Sequence, residues 1–407
     1  MLEVTKVRAR PSWLLLGPAF VAAIAYVDPG NVAANVSAGA QFGFLLVWVI
    51  VVANVMAGLV QYLSAKLGLV TGRSLPEAVA DHTRTPTRIA YWLQAELVAM
   101  ATDLAEVVGG AIALYLLFDL PLLIGGLITG VVSLLLLAVQ NRRGQRMFER
   151  VITGLLMVIA IGFLTSLFVK TPPAAAVADG LIPRFDGAES ILLATAMLGA
   201  TVMPHAVYLH SGLARDRHGH PEGPRLRMLL RVTRFDVGLA MLVAGAVNMA
   251  MLLVAATNLQ GRDDTDSIEG AHAAVADALG PTVALLFAIG LLASGLASTS
   301  VGAYAGAMIM QGLLKKSYPL LLRRLVTLVP ALLVLAIGVD PSRALVLSQV
   351  VLSFGIPFAL IPLVRLTSDK ALMGADANHR VTTAFGWGVA GLITVLNVVL
   401  IYLTVNG

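Results

Sequence analysis

Runs of about twenty apolar residues, each closed by a short polar stretch rich in Lys, Arg, Gly or Pro, recur from one end of the chain to the other. A bilayer core takes roughly 20 helical residues to cross. The runs therefore predict eleven membrane-spanning helices near 12–36, 42–69, 87–117, 120–140, 149–169, 188–213, 229–257, 271–313, 318–338, 342–364 and 383–405. The range 271–313 exceeds what one span needs, so its first part is expected to form a short extracellular or interfacial helix. No separate soluble domain fits between the spans, and the whole of 1–407 reads as one all-α polytopic membrane domain. The first run contains Asp28 and lacks a small-residue cleavage site, which marks it as a retained span and not a signal peptide.

Composition and charge sharpen this reading. The chain is 58% hydrophobic and 13% charged, with a mean hydropathy of +0.86; no water-soluble surface of this size tolerates such values. With the N-terminus in the cytoplasm and the C-terminus outside, only Lys170, Arg184, Arg262 and Arg343 of the 28 Lys and Arg fall on the outer side. The inner side takes the tail with Lys6, Arg8 and Arg10 and the basic loops within 66–88, 142–150, 215–234, 315–324 and 365–380. That asymmetry is the positive-inside pattern, so the net charge of +5 is topological. Neither a nucleic acid nor an obligate protein partner is expected; the partners are the lipid bilayer and whatever crosses it. The outer loop Arg262-Asp263-Asp264-Thr265-Asp266 is acidic and reads as a solvated turn that concentrates cations weakly. Cysteine is absent, which removes disulfides and thiolate ligands.

Against this background the first span carries an anomaly, Asp28-Pro29-Gly30-Asn31. A carboxylate near the membrane midplane costs roughly 2.5 to 3.5 kcal/mol even on the lenient insertion scale. Pro and Gly should break the helix here and free main-chain carbonyls, a state tolerated at membrane depth only inside protein or beside a polar cavity. A carboxylate, a carboxamide and freed carbonyls together make an oxygen-rich cation site. Aligned on their prolines, Ala25-Tyr26-Val27-Asp28-Pro29-Gly30 in span 1 matches Ala200-Thr201-Val202-Met203-Pro204-His205 in span 6. An odd offset of five spans inverts the second unit. Halves of about 12–170 and 188–366 would then be related by an axis in the membrane plane, with 383–405 as an extra helix and the two breaks facing each other.

These residues resemble the natural resistance-associated macrophage protein (Nramp) family of divalent transition-metal transporters, including its bacterial proton-coupled manganese importers. Asp28-Pro29-Gly30-Asn31 and Met203-Pro204-His205 carry the resemblance. Further matches run from Gln94 to Glu106 in span 3 and from Leu292 to Leu296, leading to Ala305-Gly306, in span 8. It implies an inverted 5+5 fold like that of sodium-coupled amino-acid symporters, with spans 1 and 6 unwound. It also implies metal held by the Asp28 carboxylate, the Asn31 side-chain oxygen, the Met203 sulfur and the carbonyl of Ala25 or Ala200. Gln349 in span 10 would close on the metal. Mn²⁺ and Fe²⁺ suit a mostly oxygen shell, whereas a thioether is a ligand that calcium and magnesium do not favour; Co²⁺ and Cd²⁺ are further candidate cargoes. Core packing is the other use of Met203, and capping of the second half-helix the other use of Asn31.

Proton coupling requires titratable groups near the site. Glu96, Asp103 and Glu106 lie within about 80° of one face of span 3. Three carboxylates on one membrane face cannot all stay ionised without partners, so they are candidates for a proton route, which the resemblance extends from Asp28 toward the cytoplasm. The alternative is fixed salt bridges, for example Glu106 with Arg323 or Arg324 at the inner end of span 9. His205 and His210 lie about 140° apart on a continuous helix and read as gating or pathway residues, not joint ligands. Ser294-Gly295 and Ser298-Thr299-Ser300 read as helix-packing positions.

No catalytic set and no G-x-x-x-x-G-K-[ST] loop occurs, so the chain reads as no enzyme, without a cofactor, and driven by an ion gradient. The sequence thus points to proton-coupled import of Mn²⁺, with Fe²⁺, across a bacterial plasma membrane. Two other readings stay open. A sodium-coupled organic-solute symporter would want no carboxylate at its free half-helix N-terminus, and an uncoupled gated divalent-cation channel would show no counter-ion dependence.

Overall fold

A computed structural model of the chain describes residues 17–143, 145–261, 267–316 and 320–406. The basic tail with Lys6, Arg8 and Arg10 and the acidic loop 262–266 lie outside the described residues. Among the described residues the chain is helical throughout, with no strand. Span 1 is α1 (Pro18–Ile24), a 3₁₀ turn (Ala25–Val27) and α2 (Pro29–Phe42). There follow α3 (Val47–Thr71), the short α4 (Leu75–Asp81), α5 (Thr85–Phe118), α6 (Leu122–Arg143), α7 (Gln145–Val169) and the short α8 (Ala174–Asp179). Span 6 is α9 (Gly187–Thr201) and α10 (Pro204–His218). The rest is α11 (Gly223–Asn258), α12 (Ile268–Leu279), α13 (Pro281–Leu314), α14 (Leu320–Ala336), α15 (Pro341–Ser368), the single turn α16 (Lys370–Met373) and α17 (Arg380–Asn406).

Each of the eleven predicted ranges meets a helix or a broken helix. Eight helical stretches are long and apolar enough to cross a bilayer, and Pro18–Val27 and Leu122–Leu136 are shorter apolar helices. The overlong run 271–313 resolves into α12 and α13. They part at Gly280, whose φ of 93° is open to glycine and closed to most side chains.

Helix contacts come in pairs that exchange when five spans are added. α2 packs on α11 as α10 packs on α3, α2 meets α9 as α1 meets α10, and α7 meets α13 as α15 meets α5. The pair α5 and α13 exchanges with itself and packs extensively. Close approach at these crossings depends on glycines. A Cβ on Gly68 would overlap the Ser211 carbonyl, one on Gly109 the Pro29 ring, and one on Gly199 the Gln349 carbonyl. Lipid tails supply no hydrophobic drive between helices, so such small-residue contacts carry the packing.

Candidate metal site

Both breaks form where Pro removes a donor. After Ile24 the chain tightens into the 3₁₀ turn, and Asp28 is extended (φ −71°, ψ 168°), capping α2 by accepting the Asn31 N–H at 2.8 Å. In span 6, Val202 and Met203 leave the helix between Thr201 and Pro204. Pro29 and Pro204 each occupy a first helical position, where the missing N–H costs nothing and φ is preset.

The two breaks meet at Asn31. Its side-chain amide donates to Asp28 Oδ1 (2.9 Å) and to the Ala200 carbonyl (2.7 Å). Asp28, Asn31 and Met203 are buried, as are Ala25 and Ala200 on either side of them. Asp28 Oδ2, Asn31 Oδ1 and Gln349 Oε1 are buried with no hydrogen-bond partner. Buried polar atoms are almost always satisfied, so three orphaned oxygens on residues gathered at one break mark a candidate cation-binding site. Gln349 lies over Gly30 so closely that a Cβ there would overlap its amide. Asn31 is therefore both cap partner and candidate ligand.

Neighbouring helices hold the irregular backbone in place. Asn248 Nδ2 donates to the Tyr26 carbonyl at 2.8 Å, and Asn35 Nδ2 donates to Asn248 Oδ1 at 3.2 Å. Ser294 Oγ donates to the Val27 carbonyl at 2.5 Å. This corrects the packing-only reading of Ser294: the helix break frees a carbonyl within its reach. Ser298, Thr299 and Ser300 return their hydroxyls to carbonyls of their own helix, as packing positions do. Asn248 and Ser294 were detectable only as polar residues in apolar spans, a signal that gives no partner.

The alternative of fixed salt bridges takes hold at two of the three α5 acids, but not as Glu106 with Arg323 or Arg324. Arg324 binds Asp103, and Arg323 Nη2 reaches Glu96 Oε1 at 3.2 Å. The arginines sit at the first turns of α14 and meet α5 at Glu96 and Asp103; Glu106 lies a turn further along. Both Glu106 carboxylate oxygens are buried without a hydrogen-bond partner and face Gly302, where a Cβ would stand 3.1 Å from them. The histidines diverge as their spacing requires. His205 Nδ1 lies 3.4 Å from Thr102 Oγ1 on α5, while His210 Nδ1 meets Gln61 Oε1 on α3 at 2.7 Å. Gln61 in turn donates to the Tyr26 hydroxyl, a connection the sequence reading missed. Among the described residues no cluster of three His, Cys, Asp or Glu side chains could hold a metal ion, so the mixed set at the breaks is the candidate.

A model of the natural resistance-associated macrophage protein-like family matches residues 19–403. The chain belongs to the Nramp family. Nramp proteins are metal-ion transporters, not enzymes. A relative from Mycobacterium tuberculosis strain H37Rv, named divalent metal cation transporter MntH, is 73% identical over 408 residues, covering 100% of this chain and 95% of its own. The protein of the same name from Bacillus subtilis strain 168 is 48% identical over 388 residues, covering 95% and 91%. Among solved structures, the Eremococcus coleocola manganese transporter bound to an aromatic bis-isothiourea substituted compound superposes with a TM-score of 0.85 at 32% identity, over 95% of this chain and 86% of that one. MhsT in complex with L-phenylalanine matches with a TM-score of 0.63 at 13% identity, over 95% and 98%, which shows a shared fold alone. Nramp membership and the apolar helices make this an integral membrane protein.

Proposed function

We propose that this Nramp protein imports Mn²⁺, and Fe²⁺ with it, by proton-coupled alternating access across a bacterial plasma membrane, with its N-terminus in the cytoplasm. The observation that carries the reading is the buried, unpartnered pair Asp28 Oδ2 and Asn31 Oδ1 between two helix breaks. The names of the relatives, divalent metal cation transporter and manganese transporter, support the cargo class.

The cation enters through a cavity of about 510 Å³ lined by Ser37, Gln41, Glu189, Asp340, Ser342 and Arg343, where α2, α9 and the start of α15 meet. Asp28 neutralises the cation, while Asn31, Met203 and a carbonyl of Ala200 or Ala25 replace part of its water shell. A thioether favours Mn²⁺ and Fe²⁺ over calcium and magnesium. Gln349 covers the site. Rocking of the half-helices then exposes the ion to the inside. Protons take the α5 side, where Glu106 is unpaired and Asp103 and Glu96 are held by Arg324 and Arg323. His205 and His210 line the inner path on α10. Asp28→Asn in proteoliposomes tests the reading: Mn²⁺ uptake should vanish, and uptake equal to wild type would sink it.

A further inference from the structure

α17 lies outside the paired five-span units, yet it reaches into the helix that carries Gln349. Most of its length is apolar and lipid-facing, with Leu392, Val395, Val398 and Ile401 exposed. Its buried face, with Val389, Ile393 and Leu400, also carries Asn397, a carboxamide 4% exposed. It forms a reciprocal pair with Ser353 on α15: Ser353 Oγ donates to Asn397 Oδ1 at 2.8 Å, and Asn397 Nδ2 donates to the Ser353 carbonyl at 3.0 Å.

That carbonyl is free for a definite reason. In a regular helix it would accept the N–H of residue 357, but Pro357 has none. α15 has a second such site, where Pro362 frees the Phe358 carbonyl and Tyr208 of α10 donates its hydroxyl at 3.3 Å. Each proline break in α15 is thus closed by a side chain from another helix. Proline breaks are where helices bend. The Asn397 pair lies one turn from Gln349, at the stretch where Gly199 packs against the Gln349 carbonyl and the Ser353 N–H. Gly199 precedes Ala200, whose carbonyl accepts from Asn31. One face of this turn meets the metal site and another is clasped by α17.

We propose that Asn397 is a positioning residue for metal transport: by anchoring the broken turn of α15 at Ser353 to α17 it sets where Gln349 sits over Asp28. This rests on the reading of Asp28 and Gln349 as parts of the metal site. Asn397 touches no cargo itself, so its loss alters the apparent affinity for the cation and not the presence of a site.

Mn²⁺ uptake by the full chain in proteoliposomes, normalised to folded transporter, tests this with wild type, Asn397→Leu, and Asn397→Leu combined with Pro357→Ala, alongside the melting temperature of each. The double variant gives the Ser353 carbonyl a backbone N–H again. The expected result is a rise of about ten-fold in apparent KM for Asn397→Leu, the factor one hydrogen bond's worth of binding energy produces, with maximal rate within about two-fold. The double variant should regain melting temperature while KM stays raised. An unchanged KM in Asn397→Leu overturns the proposal. So does a KM that returns to wild type together with the melting temperature, because Asn397 would then only satisfy a carbonyl. If the single variant does not fold, the double variant decides alone: a raised KM supports the proposal and a wild-type KM overturns it. Asp28→Asn in the same assay isolates the underlying reading, whose failure would appear as undiminished uptake there whatever Asn397 does.

Discussion

Asn31 spends both of its amide hydrogens on holding Asp28 Oδ1 and the Ala200 carbonyl, at 2.9 and 2.7 Å, and so leaves its own oxygen, like Asp28 Oδ2, buried without a hydrogen-bond partner. One side chain ties the two broken helices together and orients the carboxylate. Asn31→Asp removes those donors and adds a second charge beside the first. Mn²⁺ affinity, read by calorimetry in detergent, should fall at least about ten-fold, the low end for losing a partner at a metal site, with a smaller loss for Asn31→Ser.

In the proposed ligand set Met203 is the soft donor among hard ones. Met203→Ala should leave a site of oxygen ligands, which calcium enters more readily. In a Mn²⁺ uptake assay, the calcium concentration giving half inhibition should fall by about ten-fold or more, one thioether contact's worth of selectivity. An unchanged calcium sensitivity would return Met203 to core packing.

Arg324 and Asp103 form a buried ion pair, at 1% and 3% side-chain exposure. Removing one partner strands a charge and costs about 3 to 5 kcal/mol, whereas replacing both with apolar residues is often neutral. Arg324→Met should lower the melting temperature sharply, and Arg324→Met with Asp103→Leu should recover it. Uptake driven by an imposed pH gradient should stay impaired in the double variant, which separates stability from proton movement.

Glu77 closes a capping box at the start of α4, accepting from the Ser74 N–H at 2.8 Å, and binds Arg215 at the end of α10. Burial alone would raise its carboxyl, but the Ser74 and Arg215 hydrogen bonds outweigh burial and hold it below the ordinary range. A group depressed on folding stabilises above its unfolded pKa of roughly 4.3 and loses that contribution as pH falls through its folded value. The melting-temperature gap between wild type and Glu77→Gln should be constant from neutral to mildly acid pH and close below about pH 4.

Gly199 leaves no room for a side chain, because its neighbour is the α15 backbone and not a flexible tip. Gly199→Ala should cost about 1 to 3 kcal/mol through overpacking. Uptake should fall with it, since the displaced stretch carries Gln349. A wild-type melting temperature would contradict the contact.

Hydropathy made the spans legible because lipid imposes one length and one polarity on each of them. Their ends were less legible: α10 runs to His218 and α11 starts at Gly223, outside the predicted 188–213 and 229–257. These helices continue past the lipid, where apolarity no longer reports them. Both breaks were readable from Asp28-Pro29 and Met203-Pro204, whose effects are local. The partners were not. Periodicity placed Glu96, Asp103 and Glu106 on one face but did not fix the height at which α14 crosses α5, and that height decides that Arg324 meets Asp103 and leaves Glu106 alone. Ser294, Asn248 and Asn397 bond to carbonyls freed elsewhere in the chain, information no single segment contains.

α2 and α10 begin at the breaks, while the 3₁₀ turn after α1 and α9 end there, so two helix ends of about half a positive charge meet two of about half a negative charge. These ends nearly cancel, and the charge left at the breaks is that of Asp28. One carboxylate only half-compensates a divalent cation. For the cargo proposed above, that shortfall favours a short residence time, which suits a site that must empty on every cycle.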